Sequence, residues 1–237
     1  MGRRLTRKQI KHDEFVTLVD KLVHWMGENW RQSAAAAGGV VVLALLWWGG
    51  TALLGSRQDA ASVALTKAID MLNAPVGSAA PAAATVKFAT EAAKLEEAEK
   101  AFSSVKSHYW LTPQARLARF YLACIQAERG DSDAAIRAMG AVAGKRTATP
   151  AVRLAMLDLV NMRLARSDAR ELIPSLQAMV DGKDPRLPPD AALYELGRIQ
   201  ENSGNHVEAA QLYRKLLDEF PSSPYRNDAQ QRLSGAS

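Results

Sequence analysis

The sequence predicts an all-α protein, with one N-terminal transmembrane helix followed by an α-solenoid of helix pairs. Three observations carry that expectation. An uncharged run, SAAAAGGVVVLALLWWGGTALLG, occupies 33–55. Beyond it, Ala, Leu, Arg, Glu and Gln dominate, and runs of the Val, Ile, Thr and aromatic residues that favour strands are nearly absent. The turn residues Gly130, Ser167 and Gly204 recur at a spacing of 37 residues, and a fixed period of helix–turn–helix units is what a solenoid needs, because one pair cannot bury its apolar face alone.

Residues 1–32 form a basic tail. Phe15, Leu18, Val19, Leu22, Met26 and Trp30 recur in it at helical spacing, so an amphipathic helix is expected there, either extending the anchor or lying on lipid or a partner. The run at 33–55 is long enough for a helix to cross a bilayer core, which takes about 20 residues. Trp30 precedes it and Trp47 and Trp48 stand towards its far end, where amphipathic rings favour the interface. The preceding tail and the length of the span are both too great for a cleaved signal peptide. Arg3, Arg4, Arg7, Lys8, Lys11, Lys21 and Arg31 precede the span, whereas only Arg57 and Lys67 closely follow it. Basic residues stay inside. The expected topology is therefore a membrane crossed once, with a cytoplasmic N-terminus and a C-terminal domain in the periplasm or an equivalent exterior.

Net charge is +5, but the part from 56 onward is nearly neutral and concentrates no basic face, which argues against nucleic-acid binding. Residues 56–111 read as membrane-proximal helices, over about 57–72 and 87–106, separated by an Ala/Pro-rich loop at 73–85. Residues 112–237 read as the repeats. Thr112-Pro113, Thr149-Pro150 and Pro188-Pro189-Asp190 each open a helix, the first two placing Pro at the first helical position after a Thr cap. A polar helix over roughly 222–233 is expected to cap the array.

In the last unit Leu193, Leu196, Gly197, Gly204, Ala209, Tyr213, Leu216 and Pro221 fall where a tetratricopeptide repeat places its consensus residues. The first unit matches at Leu122, Ala123, Gly130 and Ala135, with Met139 in place of the aromatic, and the middle unit diverges most, with Leu172 where a small alanine belongs. Together with the RLTRKQIKHDEF tail and the span, the architecture resembles the ancillary subunit of the SecYEG translocon, the YfgM family. That resemblance implies association with the secretion channel and with periplasmic chaperones or newly exported chains. It leaves open a second binding role, as an assembly factor for cytochrome c maturation or other cell-envelope machinery.

Resemblance to tetratricopeptide repeats also implies a concave face lined by the first helix of each pair. The matching positions are Phe120 and Cys124, then Leu157 and Asn161, then Tyr194, Arg198, Glu201 and Asn202. An apolar groove suits extended or partly unfolded chains; the alternative is that Phe120 and Leu157 are core. No phosphate-binding glycine loop, metalloprotease motif, nucleophile elbow or CxxC occurs. His12, His24, His108 and His206 are far apart, Cys124 is alone, and Asp131-Ser132-Asp133 reads as a helix cap rather than a calcium loop. The expectation is a non-enzymatic scaffold with no cofactor and no metal.

Overall fold

The structure, a computed structural model, describes residues 30–77 and 87–235. The tail pattern at Phe15–Met26 and positions 78–85 of the loop lie outside the described residues. The chain divides into two compact units, Met1–Ser56 and Arg57–Ser237. Helix α1 spans Trp30–Leu72. Within the first unit its Leu43, Leu45, Trp47 and Trp48 side chains are exposed. Among the described residues no helix is long and apolar enough to cross a membrane, and most side chains of the 33–55 run lie outside those described.

The second unit is a succession of helix pairs. The last turns of α1 pack with α2 (Glu91–His108) through Leu65, Ala68, Leu95, Ala98 and Phe102. The same core takes in Ala118 and Ile125 of α3 (Pro113–Glu128). The base of the intervening loop is pinned, since the Gly77 N–H donates to the Phe88 carbonyl at 3.0 Å and the Phe88 N–H to that of Pro75 at 3.3 Å. There follow α4 (Ser132–Ala143), α5 (Pro150–Ala165), α6 (Ile173–Val180), α7 (Pro189–Asn202), α8 (His206–Glu219) and α9 (Arg226–Gly235).

Local chemistry explains where these helices begin. Thr112 Oγ1 accepts the Ala115 N–H at 3.3 Å and Asp131 Oδ1 that of Ala134 at 3.0 Å, satisfying amides that have no partner within the helix. Thr149 stands at the matching place before α5, but its hydroxyl makes no cap bond and is buried without a partner. The turns fall as the spacing predicts, with Gly130, Ser167 and Gly204 at φ of +84°, +59° and +80°. Ser167 is the non-glycine among them, and L residues enter that region at a cost of about 1–2 kcal/mol.

The middle pair departs from a regular return helix. A 3-10 turn, Ala169–Leu172, precedes α6, which keeps only eight residues. Pro174 has no N–H to donate back, and Leu172 is too large for the close crossing that Ala135 and Ala209 permit in the other pairs. In the last pair that closeness is extreme. A Cβ added at Gly197 would stand 2.4 Å from Tyr213 Cε1, so Tyr213 fills the space within its own pair.

One apolar core runs through the array from Phe120 on α3 through Met139, Met156, Leu176 and Met179 to Ile199 on α7. Polar links repeat across it in register. Asp133, three residues after its turn, pairs with Arg166. Arg170, three residues after the next turn, donates from Nε to Ser203 Oγ at 2.9 Å.

Two substitutions test this packing by urea unfolding. Gly197→Ala is expected to destabilise by about 2 kcal/mol through overpacking against Tyr213, despite alanine's better helix propensity. Ser167→Gly is expected to stabilise by about 0.5 kcal/mol, relief of the left-handed backbone outweighing the added freedom of the unfolded chain.

Candidate protein-binding groove

The first helices of the pairs, α3, α5 and α7, place the sequence-predicted residues in two settings. Phe120 is buried in the core, and Leu157, partly buried, packs against that core, so these two serve packing as the alternative reading held. Asn161, Arg198, Glu201 and Asn202 instead line one open cavity of about 520 Å³, together with Leu164, Ala165 and Arg232. Tyr194, expected in the groove, is instead buried in the core and does not line the cavity; the Arg198 and Arg232 guanidiniums each stand 5.9 Å from its ring centre. Its other partner is Tyr225, stacked at 4.8 Å.

The cavity wall is a hydrogen-bonded network spanning four helices. Arg198 Nη1 donates to Asn161 Oδ1 at 2.8 Å, joining α7 to α5, and to Glu195 Oε2 at 2.8 Å. Glu201 Oε2 accepts from Tyr213 Oη at 2.9 Å and from Arg232 Nη1 at 2.6 Å, joining α7 to α8 and α9. Glu195 is only 3% exposed. Burial holds its carboxyl above the usual range, opposed by Arg198. Burial likewise raises the Tyr213 phenol, helped by its bond to Glu201. Both guanidiniums are therefore committed to partners inside the fold, and the groove offers a fixed polar wall rather than free cations.

Towards α3 the character changes. Leu154 is exposed on α5, and Tyr121 and Cys124 on α3 are partly buried. Burial pushes the Cys124 thiol up to about 12, with Asp158 and Glu128 adding to the effect, which makes it a poor nucleophile at neutral pH. Among the described residues no group of three His, Cys, Asp or Glu could hold a metal ion.

Sequence reasoning missed Arg232 and Glu195. Arg232 was legible in principle, because α9 stands where the first helix of another unit would and Arg232 falls about one repeat length after Arg198. Glu195 reads as a solvated charge until its burial is known.

The tetratricopeptide repeat family model matches residues 191–223, which hold α7, α8 and their turn. No curated protein and no solved structure matches the chain. Tetratricopeptide repeats mediate protein–protein interaction, so the chain carries a protein-interaction repeat within an all-α array.

Breaking the Arg198–Glu195 pair tests the wall. Arg198→Met is expected to cost about 2–3 kcal/mol in urea unfolding, because a buried carboxylate loses its cation. Adding Glu195→Gln should recover most of the loss. The pH sign is also fixed. A carboxyl raised in the folded state contributes stability that is full below its unfolded value of about 4.3 and is lost as pH rises through the folded value. Glu195→Gln should remove that part of the pH dependence.

Proposed function

We propose that the protein is a membrane-anchored adaptor that presents its repeat groove to extended protein segments outside the cytoplasm. The observation that carries the binding half is the groove beside the matched repeat, with Asn161, Arg198, Glu201 and Asn202 on one wall and exposed Leu154 on the same first-helix array. A fixed polar wall beside apolar side chains suits backbone and mixed side-chain contacts with an unfolded stretch.

The anchoring half rests on chemistry at the other end. The uncharged run at 33–55 falls within α1, where Trp47 and Trp48 are 78% and 72% exposed. Large aromatic side chains held in water are costly, and a bilayer interface relieves that cost. Seven basic residues before the run favour a cytoplasmic tail. The resemblance to ancillary translocon subunits makes the SecYEG-type channel the first partner to test, with periplasmic chaperones and exported chains as the groove's occupants. The enzyme class draws no support from the groove, whose titratable groups are tied up in internal pairs.

Alkaline carbonate extraction and purification in mild detergent test both halves together. The full chain is expected to stay with the membrane pellet, to be released by deletion of 33–55, and to co-purify with channel subunits. Quantitative release of the intact chain would overturn the anchor. Recovery of another envelope assembly complex in place of the channel would replace the proposed partner.

A further inference from the structure

A second cavity lies beside α3, lined by none of the residues of the first. At about 100° per residue, Arg116, Arg119, Leu122 and Gln126 fall on one broad stripe of that helix, which does not include the buried Phe120. With Lys106 of α2 and Lys145 just beyond α4, this stripe borders a cavity of about 810 Å³. Ala138, Ala141 and Val142 supply apolar surface within it, and Trp110 and Leu111 stand at it 62% and 64% exposed.

The repeat register explains why this groove exists. Positions 37 residues apart correspond between units, so Arg119 corresponds to Met156 and Leu193. Those two are 1% exposed and sit in core clusters, whereas Arg119 is exposed. A charged side chain here cannot seal the crossing as its counterparts do, and the space beside α3 stays open.

Its electrostatics are one-sided. Lys106, Arg116, Arg119 and Lys145 make no ion pair among the described residues, while Arg129, Arg163, Arg166, Arg186, Arg198 and Arg232 all do. The carboxylate present, Glu99, is taken by Arg129 at 2.6 Å. Arg116 Nε is buried without an acceptor, and Gln126 Oε1 without a donor. The chain's own N-terminal tail and its 78–86 loop do not answer this chemistry. The tail is net basic and positions 78–86 carry no charge.

We propose that this groove binds an acidic segment of a partner protein that also carries a large apolar side chain. Carboxylates would pair with Lys106, Arg116, Arg119 and Lys145, and the apolar side chain would cover Trp110 and Leu111. The concavity favours a peptide segment over a flat lipid surface. This site goes beyond the repeat groove proposed above and does not depend on it.

The test uses the full chain in phosphatidylcholine nanodiscs and a short fluorescein-labelled peptide of alternating Glu and Leu with one Phe. Fluorescence anisotropy should show binding that weakens with added salt and is absent for the analogue with Lys in place of Glu. Arg119→Met, which restores the apolar residue of the other units, should keep the fold and weaken binding about tenfold. Trp110→Ala should weaken it similarly, with circular dichroism checking both variants. No binding, equal binding of the Lys peptide, or unchanged affinity in both variants would overturn the proposal. So would exclusive binding to phosphatidylglycerol vesicles, or self-association of the chain through the groove.

Discussion

Everything in the second unit depends on one constraint: a helix pair has two faces to bury and its own partner covers only one. Met139 of α4, Met156 of α5, Met179 of α6 and Ile199 of α7 lie in a single core because each pair uses the next to exclude water. That requirement fixes the register, which is why polar links such as Asp133 with Arg166 and Arg170 with Ser203 recur at corresponding places. It also dictates the ends. Helix α9 buries Ala229, packs Leu233 against the core that Ala229 joins and is otherwise polar, so it closes the array without offering a new apolar face.

Much of this was legible because the signals are local. A left-handed turn every 37 residues, a Thr-Pro helix start and a small residue at a close crossing are each written in a few adjacent positions, and Gly130, Thr112 and Gly197 behave accordingly. What escaped depends on contacts made across the chain. Arg186 grips Asp184 through Nε at 3.0 Å and also donates to the Ala143 carbonyl at 2.9 Å and to Ser175. Asp184 is 4% exposed, and that hydrogen-bonded guanidinium holds its carboxyl below the usual range. Nothing within the DPR triplet announces a buried ion pair. The shortened α6 was half visible: Leu172 marked the unit as divergent, but the 3-10 turn follows from Leu172 and Pro174 acting together.

The groove was legible to a similar degree. Of the positions carried over from the repeat pattern, Asn161, Arg198, Glu201 and Asn202 line the cavity, Phe120 and Tyr194 are buried, and Leu157 is partly buried against the core. Pattern alone does not say how the charges are used. Here the Arg198 and Arg232 guanidiniums flank Tyr194 and answer Glu195 and Glu201, so the groove wall is rigid before any partner arrives. Such preorganisation lowers the ordering cost of binding an extended segment. The same register leaves the α3 stripe around Arg119 open, giving the array a second cavity of different chemistry.

The most direct test of the account is site-specific photo-crosslinking in intact cells, with the crosslinker at Asn161 in the groove and, for comparison, at exposed Val207 on α8. The account predicts protein adducts from position 161, with far fewer from 207. Equal yields from the two positions, or none from 161 with the chain folded and membrane-bound, would contradict it.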